Sequence, residues 1–574
     1  MAVASRIVGV CRGLIRPAVR GLLWTTDRLA SLLGRRPAYN TLLLDIDASA
    51  AEEPPSALHA LLRPRPPDLL TLTSLLRWAA EDDRLQAVVV SLSQLDMGWA
   101  QLQSLRRSLL TLRQAGKQVW VHLAEAGMRE YYLASAADTL VLAPAGHLSV
   151  LGLATEVVFF KGALDTLGIE AQVSQAGRYK AAGEPFTRRS MSAAHREMMD
   201  GLLDDVYDQI VEAIARGRNK DKAAVRELID QGLFLAAEAQ TSGLIDHVAY
   251  ADELPGLLEP LIGEVKPIEA AAYRRRRTGV IRRQLWRGEV HTIGLITVNG
   301  PIKYGHTTER AGGGRTLGST DFIRGLQSLA ERSNIAGLVL RIVSPGGSGL
   351  ASDFMWHELL RVRERMPVVV SMGDVAASGG YYLALAGTRV FAEEASITGS
   401  IGVIAGKPVL HNLYTQLGLS KDILTRGQRA ALFSDYLAFT PAEQERLDLE
   451  VQAFYRDFVH KVADCRGLSL AAVEPLAQGR VWTGRQAWAH GLVDSLGGLE
   501  EAIAALKQHL GVAPDRPVRL VRFPRPASVW RLPGLRRLLP RLGFGPDAGP
   551  VAGSRPWWER DRIWAILPVP FRFL

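Results

Sequence analysis

The stretch REYYLASAADTLVLAPAGHLSVLGL (129–153) returns, altered but recognisable, as GGYYLALAGTRVFAEEASITGSIGV (379–403), so this chain has to build the same local structure twice. The pairs Tyr131-Tyr132 and Tyr381-Tyr382 set an offset of 250 residues. The same offset lays RLQAVVVSLS (84–93) on NIAGLVLRIV (334–343), and QGLFLAAEAQTSGLID (231–246) matches QGRVWTGRQAWAHGLVD (478–494) with a small slip. A tandem duplication is expected, with a first repeat over 39–265 and a second over 288–510. Between them, residues 266–287 contain YRRRRTGVIRRQLWR (273–287), which reads as a solvated basic linker; binding to phospholipid is the alternative.

Each repeat alternates short apolar runs with helical stretches. In the second, TIGLITVNG, AGLVLRIVS, PVVVSMG and TRVFAEE read as strands, with STDFIRGLQSLAER and ASDFMWHELLRVRER as helices between them. That alternation predicts βαβ units and an α/β fold with a largely parallel sheet. Long helices are expected outside each sheet, over 193–217 and 441–464. With 47% hydrophobic and 22% charged residues over 574 positions, the chain has ample material for two cores, and disorder is not the default.

The candidate chemistry lies where the repeats differ. At the 250 offset Ser378 falls on Met128, Gly379 on Arg129, and the SPGG run (344–347) on QLDM (94–97). Ser378, set among small residues at a strand-to-helix turn, is either an activated hydroxyl or a helix cap. The N–H groups of Gly347 and Gly379 are candidates to hold the negative charge of a tetrahedral intermediate. SPGG taken alone also describes an ordinary tight turn.

A nucleophile needs a base. The downstream histidines, His411, His460, His490 and His509, sit in no distinctive setting. The first repeat offers Lys180 in SQAGRYKAAGEPFTRRS (174–190), and its counterpart in the second repeat is Ala430. One repeat kept the lysine and lacks the serine; the other shows the reverse. A composite site between the repeats would produce that pattern. The lysine must be neutral to act as a base. Burial lowers its pKa, and a drop from about 10.4 to about 8 corresponds to roughly 3 kcal/mol.

The two cysteines, Cys11 and Cys465, form no CxxC or Cys/His cluster, so no metal site, disulfide framework or cofactor is expected. The net charge is +9, with many arginines near the ends. Residues 1–38 contain no uninterrupted apolar span. Ile7, Val8, Cys11, Leu14, Ile15, Val19, Leu22 and Leu23 recur at helical spacing among arginines. That fits either an interfacial helix on anionic lipid or a helix docked on the protein's own core. The tail, 511–574, is rich in Arg, Pro and Trp (Trp530, Trp557, Trp558, Trp564) and reads as a second membrane-surface segment or a loose end.

As a set, RIVSPGGSGLASD (341–353), GDVAASGGYYLALAG (373–387), ITGSIGV (397–403) and GRYKAAGEPF (177–186) resemble the signal peptide peptidase A (protease IV) family in its long two-repeat bacterial form, over about residues 40–510. The resemblance implies tandem ClpP/crotonase-like domains with outer helices, and a serine endopeptidase that degrades leftover signal peptides at the membrane. It assigns Ser378 as nucleophile, Lys180 as general base and acid, and Ser400, in TGSIGV, as the residue orienting the lysine. It also implies a homo-oligomer, a tetramer, at the bacterial inner membrane. Long-form members carry an N-terminal transmembrane anchor, and this chain departs from them with its arginine-interrupted segment. That segment fits peripheral attachment to the cytoplasmic face. Three other functions compete with this reading. A crotonase-type acyl-CoA enzyme would need carboxylates such as Asp374, Glu393 or Glu394. A non-catalytic membrane scaffold would not need SPGGSG and AASGGYY intact. Nucleic-acid binding would rest on charge alone, with no reading element.

Overall fold

The computed structural model describes residues 39–48, 50–52, 68–287, 291–309, 314–523 and 564–566. The amphipathic segment 1–38 and most of the tail beyond 523 lie outside the described residues. The first repeat runs β1 (Thr41–Ala48), β2 (Ala87–Leu95), α1 (Trp99–Gln114), β3 (Gln118–Leu123), β4 (Thr139–Leu142), β5 (Glu170–Ala176) and the long helix α2 (Ala193–Arg218). The second runs β6 (Thr292–Asn299), β7 (Ile335–Ser344), β8 (Gly346–Ser348), β9 (Val368–Ala377), α3 (Gly379–Ala384), β10 (Ile397–Gly399), β11 (Val403–Val409) and the long helix α4 (Pro441–Arg466). A last strand, β12 (Trp564–Ile566), follows.

β1 to β4 form the centre of a six-stranded sheet, parallel throughout. Its central strands are apolar on both faces, and Ala87, Val88, Val89 and Val90 are all buried, as helices on both sides require. β6, β7 and β9 form the matching parallel core of an eight-stranded sheet; only Val481–Thr483 runs antiparallel, beside β10. The long helices have clear local causes. Ser192 caps α2 by accepting from His195 N, and the helix ends at Asn219 in a left-handed conformation. Thr440 and Glu443 form a reciprocal cap on α4, which ends at left-handed Gly467.

A third sheet joins the repeats. β5 of the first pairs antiparallel with β11 of the second over seven residue pairs, Glu170–Ala176 against Val403–Val409. α2 also crosses over, packing Met198 and Leu202 against Ala377, Ile397 and Val481. Polar contacts complete the seam. Buried Arg341 makes a two-pronged ion pair with Glu52 at 2.9 and 3.0 Å. Glu393 is bound by Ser104 and Arg107.

The N-terminus of α1 has no side-chain cap of its own, and the second repeat supplies one: Asp374 Oδ1 accepts from Ala100 N at 3.0 Å and Gln101 N at 3.2 Å. Burial and the neighbouring Glu52 carboxylate push the Asp374 pKa up from 3.8 to about 6. A carboxyl raised in this way holds its proton more tightly in the folded chain than in the unfolded one. Folding is therefore penalised progressively as pH rises through about 4 to about 6, and the penalty is constant above that. Asp374→Asn keeps an acceptor for α1 and removes the charge. Its melting temperature is expected to exceed that of the parent by about 2 °C or more near pH 8, with the gain shrinking near pH 4. Equal shifts at both pH values would contradict the assignment.

The basic stretch expected as a solvated linker is helical, over Ala270–Arg287, with Arg274, Arg275 and Arg276 exposed. Its first turn is anchored: Tyr273 is fully buried, and its hydroxyl donates to Trp78 O at 2.9 Å. The run of arginines hides any apolar periodicity there. No described helix is long and apolar enough to cross a membrane.

Candidate active site

Lys180 reaches the second repeat because β5 does. Past β5 the chain turns at Gly177, whose φ is +113°; a Cβ there would sit 2.4 Å from the carbonyl carbon of Gln478. Tyr179 N then donates to Gln478 O at 2.7 Å. Gly479 presses on the lysine itself, since a Cβ at that position would lie 2.6 Å from Lys180 Cβ. On the other side, Glu184 accepts from Ser192 N at 3.1 Å and contacts His195 Nδ1 at 2.9 Å, tying the loop back to the start of α2.

Ser378 sits between β9 and α3 with φ +55°, ψ −116°, a conformation that L residues avoid. Its N–H donates to Gly399 O at 2.8 Å, which holds it there. Ser400 is also left-handed, φ +53°, and its N–H donates to Arg480 O at 2.7 Å. Two strained serines facing one lysine mark a place where the fold over-determines its geometry.

Lys180 Nζ lies 2.8 Å from Ser378 Oγ, 2.9 Å from Ser400 Oγ and 3.1 Å from Ser400 O. All three residues have zero solvent exposure. Burial drives the lysine pKa well below 10.5, and desolvation is the cause. A neutral amine has two N–H groups and one lone pair. Ser400 O can only accept, and Ser400 Oγ takes the second N–H, which leaves the lone pair for the Ser378 O–H. The arrangement can therefore remove the proton from Ser378.

Gly347 has φ +153°, and a Cβ there would sit 2.0 Å from Ile302 O. A Cβ on Gly379 would be 3.3 Å from Gly347 N, so the two glycines are neighbours. Gly379 opens α3, and the first N–H groups of a helix have no acceptor within it. His411, His460, His490 and His509 are all surface-exposed, unlike Ser378. Asp374 and Glu393 are committed to the seam between the repeats. Among the described residues no cluster of His, Cys, Asp or Glu is placed to hold a metal ion.

Sequence reasoning missed the supports of this site: the β5–β11 pairing, the Gly479 contact, the Glu184–His195 tie and the Asp374 cap. Each joins residues that share no motif. Single members were legible, Gly479 in the matched QGRVW run, Glu184 in GRYKAAGEPF and Asp374 in GDVAASGGYYLALAG, but their partners were not.

The peptidase family S49 model matches the chain twice, over residues 111–261 and 361–513. Lys180 falls in the first match and Ser378 in the second. The chain is 33% identical to the chloroplastic serine protease SPPA of Arabidopsis thaliana, over 78% of this chain and 67% of that protein. It is 30% identical to protease 4 of Salmonella typhi, over 84% of this chain and 81% of that one. Protease 4 of Haemophilus influenzae is 29% identical, over 77% and 73%.

Proposed function

This chain belongs to peptidase family S49 and is a serine peptidase, and from that premise we propose that it cleaves extended hydrophobic peptides, signal-peptide remnants among them, with a Ser378–Lys180 dyad shared between its repeats. The observation that carries this reading is the 2.8 Å approach of Nζ to Oγ in a fully buried setting.

In the proposed reaction, neutral Lys180 takes the Ser378 proton as Oγ attacks the peptide carbonyl carbon. The N–H groups of Gly347 and Gly379 hold the oxyanion, a contribution of about 3 kcal/mol per donor in comparable sites. The lysine ammonium then protonates the departing amine, leaving an acyl-serine. Water, deprotonated by the same amine, releases the acyl group and restores the hydroxyl. The repeats themselves are proposed as ClpP/crotonase-like domains.

Residues 1–38 are the proposed membrane-surface contact. Exposed apolar side chains support assembly into a homo-oligomer, a tetramer in this reading: Leu417, Leu419, Ile423 and Leu424 on one segment, and Leu151 and Val158 on another. An acyl-CoA reaction is disfavoured because Asp374 and Glu393 are engaged elsewhere.

The test is labelling with a serine-reactive fluorophosphonate, followed by peptide mapping, alongside hydrolysis of a fluorogenic hydrophobic peptide. Label on Ser378 is the expected result; label elsewhere with activity retained defeats the reading. Ser400→Ala is expected to lower kcat by about 10- to 100-fold with KM little changed, the worth of one hydrogen bond to the lysine. An unchanged kcat would remove Ser400 from the machinery.

A further inference from the structure

Lys180 has to bring one nitrogen within hydrogen-bond reach of Ser378 Oγ and of two Ser400 oxygens at once. A long, flexible side chain lies between that nitrogen and the backbone, so the backbone has to be held on both sides of residue 180. Upstream, the second repeat holds it through Gln478 and Gly479. Downstream, Ala181, Ala182 and Gly183 carry no polar side chain, and Glu184 is the first residue that does. These residues form one tight turn, in which Glu184 N donates to Ala181 O.

Glu184 is in turn held by the start of α2. Its Oε2 accepts from Ser192 N at 3.1 Å and stands 2.9 Å from His195 Nδ1. Ser192 Oγ accepts from His195 N at 3.1 Å. Burial raises the Glu184 carboxyl pKa, yet the hydrogen bonds from Ser192 and His195 hold it below its ordinary value. The carboxylate therefore accepts and Nδ1–H donates. His195 is 1% exposed, and its Nε2 finds no hydrogen-bond partner among the described residues. Nothing else in that ring's hydrogen bonding explains a buried histidine here. α2 is itself fixed beside the serine, since Met198 and Leu202 pack on Ala377, the residue before Ser378. The link from Glu184 to the amine is mechanical. Burial alone lowers the Lys180 pKa, with no carboxylate acting on it across space.

We propose that Glu184 and His195 are positioning residues of the reaction: the pair sets the depth at which the Lys180 amine is held between Ser378 and Ser400. That depth fixes both the alignment for proton transfer and the exclusion of water from the amine. The inference rests on the reading of Ser378 and Lys180 as the dyad.

His195→Leu and His195→Asn test it, because asparagine offers an N–H donor where histidine has Nδ1 and leucine offers none. His195→Leu is expected to lower kcat for the fluorogenic peptide by about 10- to 100-fold with KM unchanged, the scale of a misplacement on the order of 1 Å. Its rate should also inflect at a higher pH than the parent's, closer to 10.5, because a loosened turn lets water reach the amine. His195→Asn keeps the hydrogen bond and should stay within about threefold of the parent, with the parent's inflection. A purely structural role would lower the melting temperature and the folded fraction and leave kcat per folded molecule and the inflection in place. That outcome overturns the proposal, as does His195→Asn being as impaired as His195→Leu. Should His195→Leu fail to fold, Glu184→Gln keeps the volume and an acceptor for Ser192 N. It is expected to lower kcat by about three- to tenfold and to move the inflection the same way, and a parent-like inflection overturns the proposal. Lys180→Met is assayed alongside. If it stays active, the dyad fails and the positioning pair falls with it; if it is inactive while His195→Leu matches the parent, only the positioning pair is removed.

Discussion

Ser378→Ala is expected to lower kcat/KM for a fluorogenic hydrophobic peptide by about 10⁴-fold or more, the scale of losing a nucleophile that acts as a unit with its base. KM should move little, because the hydroxyl makes its contribution in the transition state. The backbone adds an independent signature. With φ at +55°, position 378 is strained for any residue with a Cβ. Ser378→Gly should be just as inactive, yet more stable than Ser378→Ala by about 1 kcal/mol, since glycine adopts that conformation freely. Thermal melts of the two variants measure the difference. Equal stability would mean that the strain is relaxed in solution, and retained activity in either variant would remove Ser378 as nucleophile.

Lys180→Met is expected to cost about 10³- to 10⁴-fold in kcat, the upper range for loss of general acid–base catalysis. Lys180→Arg should be equally inactive, because a guanidinium keeps its proton and cannot act as a base. That pair separates proton transfer from simple positive charge. In the parent chain the rate should rise with pH as the amine loses its proton, with an inflection below the ordinary lysine value of 10.5, because burial lowers it. Stability follows the same sign. The folded chain binds this proton more weakly than the unfolded chain does. Lys180 therefore destabilises the fold increasingly as pH falls from about 10.5 toward its folded-state value. Lys180→Met removes that penalty and should raise the melting temperature near pH 7, with the gain vanishing above about pH 10.5. A stabilised, inactive variant is the pattern of a site that trades stability for chemistry. A Lys180→Met chain that keeps its activity would end the dyad reading.

The fold was legible to different depths in different places. Strands such as Ile335–Ser344 and Val368–Ala377, and helices such as Pro441–Arg466, follow from apolar runs and helical periodicity. The helix Ala270–Arg287 did not, because its arginines mask the buried Tyr273 that anchors its first turn. Lys180 and Ser378 stand out by the reciprocal loss at matched positions, a signal that exists only because the chain is duplicated. The structure brings these two and Ser400 into contact, and sets Gly347 beside Gly379.

By itself the sequence determined the duplication, the order of strands and helices, and which lysine and serine stand out, because residue type, period and spacing are local properties. Only the tertiary structure decided that β5 crosses to pair with β11, that Asp374 of one repeat caps a helix of the other, and that β12 lies between β8 and β11. Such pairings depend on edges and caps left open by the rest of the fold, which no stretch of sequence carries. The lowering of the lysine pKa was decided at the same level. A pKa is lowered by the absence of water, and it is the closure of two repeats around Lys180 that excludes it.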